Sequence, residues 1–304
     1  MPPITRRALL AQAGLASAAA FLPRAVNAQP LRLPPGLQLW SVKEELARDF
    51  EGTLRALGAM GYKNVEAAGW QGRTPRQFRD AVRDAGLDCV SCHYGLSDLI
   101  DNSEDRLAFA RDVGVRYVLA SSPAPSRPID QSKDWAHAIA EAMTLADWRS
   151  NAEAMDRIGR RAREMGLRFG YHNHSAELLA YEGRLPMDEI VRLTDPDHVV
   201  LELDIGWVAG AGYDPAEAVR RYGPRIHLFH IKDLRTTERV PGQIVTDEQT
   251  VPIGSGTIDW PAVFAAARAA PLSNWFVELE PPFETPVLDG LRQSLAYLKG
   301  ISEA

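Results

Sequence analysis

Four polar side chains follow a short apolar run in FGYHNHSAEL (169–178): His172, Asn173, His174 and Glu177. An apolar interior accepts such groups only when partners or a metal satisfy them. Three later stretches have the same character: LELD (201–204), HLFHIKD (227–233) and VELE (277–280). Of the chain's seven histidines, His172, His174, His227 and His230 crowd into two of these stretches. Side chains alternate along a strand, so Glu202 and Asp204 share one face, as do His230 and Lys232, His172 and His174, and Glu278 and Glu280. His227 and Asp233 belong to the opposite set. Within VELE the inner member, Glu278, is the better ligand if the strand ends near Leu279, with Glu280 as the fallback.

These stretches need strands that end together. Short apolar runs alternate with amphipathic segments along the chain. GLQLWS (36–41), KNVEAAG (63–69), DCVSCHYGL (88–96), RYVLASS (116–122), RFGYHNH (168–174), HVVLELDIGW (198–207), RIHLFHIKDL (225–234) and WFVELEPP (275–282) read as strands. Helical spacing follows each. One helix opens at Thr74 with Pro75 in its first turn, and another stops at Gly61. A proline-bearing polar stretch covers 123–135 and a Thr, Gln, Gly and Pro-rich loop covers 235–256. Eight β/α units point to a parallel α/β architecture, and eight is the number that closes a single (β/α)8 TIM barrel. An open doubly wound sheet is the alternative, but no GxGxxG follows the first strand. In a barrel the chemistry gathers at the C-terminal strand ends. That adds Trp40, Glu66 and His93 to the polar stretches above.

A hydrophobic share of 45% and a charged share of 24% allow a sizeable core. A net charge of −6 gives no electrostatic footprint for nucleic acid. Residues 1–28, with Arg6 and Arg7 ahead of a small-residue apolar stretch ending Val26-Asn27-Ala28, resemble a twin-arginine export signal. The expectation is a periplasmic or otherwise exported barrel over 29–304, with no membrane contact after cleavage. Self-association stays open. Cys89 and Cys92 lie three apart on a strand, so they are expected to face opposite sides and neither pair nor share a metal.

The order of a polar fifth strand end, LELD, HLFHIKD and VELEP resembles the xylose-isomerase-like barrel family. YHNHSAEL, LDIGWVAGAG and HIKD look especially like its sugar phosphate isomerase/epimerase branch. Keto-sugar epimerases of that family bind one divalent metal through Glu, Asp, His and Glu on strands five to eight. The resemblance carries the aspartate to Asp204, the histidine to His230 and the last glutamate to Glu278. The first position departs from the pattern, because His172, the fourth expected metal ligand, stands where those epimerases have a glutamate that is both ligand and base. His174 or Glu177 would then take over proton transfer, and Lys232 would donate a hydrogen bond to developing oxyanion charge. Mixed N and O ligands suit Mn²⁺ first, with Mg²⁺, Co²⁺ or Zn²⁺ as alternatives.

The resemblance therefore implies a metal-dependent isomerase or epimerase acting on an unphosphorylated sugar or keto-sugar through an enediolate. Elimination by a keto-glycoside lyase or dehydratase starts from the same intermediate. An exported carbohydrate-binding barrel without turnover is the rival from another class. Phosphodiester cleavage in the style of endonuclease IV is set against the acidic charge balance. Trp40, Glu66, His93 and Trp207 are the expected substrate contacts. The bland counterpart of each is packing or scaffold hydrogen bonding, and Asp204 with His230 could be a structural pair. Asp233 is expected to hold a loop, and Gly254 and Gly256 to make a turn.

Overall fold

The computed structural model describes residues 33–236, 241–242, 244 and 250–303. The expected leader, residues 1–28, lies outside them. The strands in chain order are β1 (Gly36–Gln38), β2 (Asn64–Ala67), β3 (Asp88–Tyr94), β4 (Tyr117–Ala120), β5 (Arg168–His172), β6 (Val199–Asp204), β7 (Ile226–Ile231), β8 (Asp233–Leu234), β9 (Thr250–Val251) and β10 (Asn274–Val277). All but β8 and β9 close into one barrel in the order β1-β10-β7-β6-β5-β4-β3-β2, each neighbour parallel. This is the TIM barrel expected from the β/α rhythm. Outside it run α1 (Lys43–Arg48), α2 (Phe50–Met60), α3 (Pro75–Asp84), α4 (Leu96–Val113), α5 (Trp135–Ala142), α6 (Leu145–Glu164), α7 (Pro186–Leu193), α8 (Ile205–Gly210), α9 (Pro215–Tyr222), α10 (Trp260–Ala267) and α11 (Val287–Glu303).

Local chemistry sets several boundaries. Thr74 caps α3 in a reciprocal box with Gln77, and Pro75 occupies its first turn. Gly61 takes a left-handed φ of 115° and ends α2. Other boundaries differ from the sequence expectation. The strand expected over 198–207 stops at Asp204, because that carboxylate caps α8 by accepting from the Trp207 backbone N–H. The first strand stops at Gln38, whose side chain accepts from the Trp40 N–H and starts a 3-10 turn. α5 begins at Trp135, the last residue of the stretch read as polar loop, and was not expected; eight alanine-rich residues show no clear polar face from which to read a helix. The short antiparallel pair β8/β9 also escaped notice, since two-residue strands carry no periodicity.

Two cores result. A large one packs the outward strand residues against the helices. A smaller one, Val90, Tyr117, Leu119, Val200, Leu228 and Phe276, fills the barrel itself. The plug fits because two strand positions lack a side chain. A Cβ on Gly36 would stand 2.4 Å from the Trp275 carbonyl oxygen and 2.6 Å from the Phe276 ring. One on Gly170 would stand 2.8 Å from both Leu119 and the Val200 carbonyl oxygen.

The two cysteines are free and buried, as expected. The reason given for it is corrected by the structure. Register slips between β2 and β3, where Val65 pairs with Cys89 but Glu66 pairs with Ser91. The extra residue, Val90, reverses the alternation beyond it. Cys89 and Cys92 therefore both pack in the outer core, and His93 turns into the barrel. Among the described residues no helix is long and apolar enough to cross a membrane.

Because a backbone carbonyl bounds the space at Gly170, Gly170→Ala should destabilise the chain by about 1–3 kcal/mol through overpacking. Urea denaturation monitored by circular dichroism measures it.

Candidate functional site

Above the apolar plug the barrel interior becomes polar in two tiers. The deeper tier comprises Gln38, Glu66, His93, His172, Glu202 and His230. Glu66 and Glu202 are fully buried. Glu66 Oε1 accepts from Gln38 Nε2 at 2.8 Å and His230 Nε2 at 2.6 Å, and lies 2.9 Å from His93 Nε2. His93 Nε2 is also 2.7 Å from Glu202 Oε2. Burial opposes charge throughout this tier, but the paired groups overcome it at several positions. His93 is raised to about 9 against its burial by Glu66 and Glu202, and His230 rises for the same kind of reason, with Glu202 and Glu278 beside it. The Glu66 carboxyl falls below the usual range despite burial, held by His93 and His230. His172 goes the other way. Burial, with His230 and His174 alongside, keeps its imidazole well below the ordinary value and so neutral.

The upper tier brings Asp204, Glu278, Glu280, Lys232 and His174 to the rim. His230 Nδ1 lies 2.9 Å from Glu278 Oε2 and 3.7 Å from Asp204 Oδ2. These three ligand atoms stand within 4.8 Å of one another. Lys232 Nζ donates to Glu280 and sits 3.2 Å from Glu278 and 3.4 Å from Asp204. Its burial would lower an ammonium, but Asp204, Glu278 and Glu280 hold its pKa well above the ordinary value. Gly206 makes the approach possible, since a Cβ there would meet the Lys232 stem at 2.7 Å. The ammonium also lies 4.2 Å from the centroid of the Trp207 ring.

Asn173 explains the middle letter of YHNH. Its Oδ1 accepts from the Asp204 backbone N–H at 3.0 Å, tying the end of β5 to the end of β6. Asp204 is then held at both its backbone N–H and its Oδ1, while Oδ2 is buried without a hydrogen bond. Asp233 binds a loop, as expected. It accepts from the backbone N–H groups of Gly254, Gly256, Leu234 and Ile258 and from the Trp260 indole. Gly256 is required there because a Cβ would lie 2.1 Å from Asp233 Oδ1.

The tiers open into a cavity of about 430 Å³, whose walls include Trp40, Trp135, Trp207, His93, His172, His174, Glu278 and Glu280. His174 packs edge-on with Trp135 and tilted against Trp207, with ring centroids 4.7 and 5.6 Å away. Burial lowers its pKa to about 3 and its Nδ1 makes no hydrogen bond. The lining contains no arginine or lysine among the described residues.

The residues singled out in the sequence thus separate. Asp204, His230, Glu278 and Lys232 meet at the rim. His172 is not in that group and sits with His93, Glu202 and His230 in the deeper tier. Trp40, His93 and Trp207 line the cavity. Glu66 is buried beneath His93 and His230, so it reaches the cavity through them and not directly. Both Glu177 oxygens are engaged, by the Tyr171 hydroxyl at 2.5 Å and the His174 backbone N–H at 3.0 Å. Burial raises its carboxyl to about 7. Its placement fits a turn-holding group. Gln38 and Trp135 were missed. Gln38 ends a three-residue strand, and Trp135 arrives on the unexpected α5.

The profile of a family described as the xylose isomerase-like TIM barrel matches residues 54–301. An inosose dehydratase from Lacticaseibacillus casei is 30% identical over 255 residues, covering 75% of this chain and 80% of that protein. A sugar phosphate isomerase/epimerase from Parabacteroides distasonis ATCC 8503 superposes with a TM-score of 0.70 at 24% identity, over 87% of this chain and 93% of that one. The IolI protein with a bound zinc atom superposes with a TM-score of 0.66 at 16% identity, over 89% and 98% of the two chains.

Removing the rim cation should expose how much the acids depend on it. Lys232→Met leaves Asp204, Glu278 and Glu280 without their shared ammonium. The expected cost is about 3–5 kcal/mol, the usual penalty for an orphaned buried charge. Urea denaturation of chelator-treated protein measures it.

Proposed function

The chain belongs to the xylose isomerase-like TIM barrel family, and from that premise we propose that it is a divalent-metal-dependent lyase. It removes the proton beside a carbonyl of an unphosphorylated keto-carbohydrate and expels a hydroxyl or alkoxyl group from the next carbon. The observation that carries this reading is the meeting of Asp204 and His230 with Glu278, which lines a cavity together with a neutral His174.

The donor set fits a divalent ion. Asp204 Oδ2 is buried and lacks a hydrogen bond, and two carboxylates with one imidazole suit a hard or borderline cation. Asp204, His230 and Glu278 would hold it. The ion would polarise the substrate carbonyl and so acidify the neighbouring C–H. His174, which lines the cavity and whose imidazole burial keeps unprotonated, takes that proton. Returned from the imidazolium to the departing oxygen, the same proton completes the elimination. A C–H and a C–O bond break, a C=C bond forms, and water or an alcohol leaves. Lys232 keeps the acids at the rim from repelling one another. Trp40, Trp135 and Trp207 offer apolar faces to sugar C–H groups. A lining without arginine or lysine among the described residues favours neutral substrates over phosphates.

The relative named inosose dehydratase supports elimination, and the zinc atom of the IolI protein supports a metal. The isomerase or epimerase reading keeps one observation in its favour. Glu280 lines the same cavity and is a second group able to return a proton to carbon.

Keto-inositols and keto-glycosides incubated with metal-loaded protein in D₂O separate these readings by NMR. Elimination yields an unsaturated ketone and released water or alcohol. A deuterated epimer or isomer without loss would replace the lyase by an epimerase or isomerase. Binding without exchange would leave a carbohydrate-binding barrel. His174→Ala should lower turnover by about 10²–10⁴-fold. Asp204→Asn should weaken metal binding by more than the roughly 10–100-fold typical of an outer-shell partner. Competition with a chromophoric chelator reads the affinity.

A further inference from the structure

We propose that the deeper tier is a second cation site, made by His93, His172, Glu202 and His230. Glu202 Oε2 is the common neighbour, 2.7 Å from His93 Nε2, 3.2 Å from His172 Nδ1 and 3.3 Å from His230 Nε2. Ligands about 2.0–2.1 Å from a tetrahedral ion stand about 3.3 Å apart, close to two of these separations. All four ligand atoms lie within 4.8 Å of one another.

A second observation points to a missing ligand. Glu202 Oε1 and His172 Nδ1 make no hydrogen bond, although their residues are 0% and 2% exposed. Buried polar atoms are rarely left so. The three imidazoles also crowd together, with centroids 4.3 Å apart for His172 and His230, 4.9 Å for His93 and His172, and 5.4 Å for His93 and His230. A divalent ion receives their lone pairs and balances Glu202, where hydrogen bonds alone leave atoms over.

Three imidazoles and one carboxylate select a borderline ion, Zn²⁺ or Co²⁺, over Mg²⁺ or Ca²⁺. His230 belongs to both sites, with Nε2 facing the deep group and Nδ1 facing Asp204 and Glu278. Filling both sites releases its ring protons to solvent. This assigns the fifth-strand histidine, His172, to the deep ion and leaves the rim to Asp204, His230 and Glu278. His93 and His172 also line the cavity, so the deep ion has access to a bound substrate. The inference stands whether the reaction is elimination or epimerisation.

The full chain, stripped with chelator and reloaded with Zn²⁺ or Co²⁺, is analysed for metal per chain by mass spectrometry. The expected result is two equivalents. His93→Gln and His172→Gln should each lose one and keep the other. Asp204→Asn should also lose one, yet retain the intense visible bands of four-coordinate Co²⁺. At most one equivalent in the wild-type chain, unchanged in His93→Gln and His172→Gln, overturns the deep site and leaves the rim site standing. One equivalent lost in the histidine variants but kept in Asp204→Asn supports the deep site and removes the rim metal instead. If either histidine variant misfolds by circular dichroism, anomalous scattering from Zn²⁺-loaded wild-type crystals decides by one peak or two.

Discussion

His230 is clamped at both ring nitrogens, by Glu66 from below and Glu278 from the rim, with Glu202 and Asp204 close on either side. Such a group is costly to bury unless its partners are in place. Everything at the barrel mouth is arranged to keep them there. Gln38 braces Glu66, Asn173 fixes Asp204, and Lys232 screens Asp204 from Glu278 and Glu280. The apolar plug of Val90, Leu119, Val200, Leu228 and Phe276 supports this polar tier from beneath.

The scaffold residues that do no chemistry are as specific as those that could. Gly206 clears a path for Lys232, and Gly256 lets the Asp233 carboxylate reach backbone N–H groups. Asp233 gathers the loop around Gly254 and Gly256 and ties it to Trp260. Glu177, although it sits in the most chemical-looking stretch of the chain, holds the turn after β5. An acid beside two histidines can serve the backbone as readily as a substrate, and only its partners tell which.

Much of this was legible beforehand. The β/α rhythm announced the barrel, and strand parity put Glu202 with Asp204, His230 with Lys232 and Glu278 with Glu280 on shared faces. Parity failed at β3, where the extra residue Val90 moved both cysteines to the outer face and turned His93 inward. A bulge has no signature in the pattern of apolar letters, because it is set by pairing with the neighbouring strand. Short elements failed similarly: α5, α8 and β8/β9 are held by caps and tertiary partners and are too brief to carry a period.

The amino-acid sequence alone determined the barrel, the strand ends that carry acids and histidines, and, outside the bulged β3, which of those side chains share a face. These follow from local periodicity, which repeats every two residues in a strand and every 3.6 in a helix. Only the tertiary structure decided how deep each group sits and whom it meets. It put His172 a tier below Asp204, joined Glu66 to His230 across 164 positions of chain, and occupied Glu177 with Tyr171. Depth depends on the stagger of neighbouring strands around a closed barrel, a relation between segments that no single stretch of residues contains.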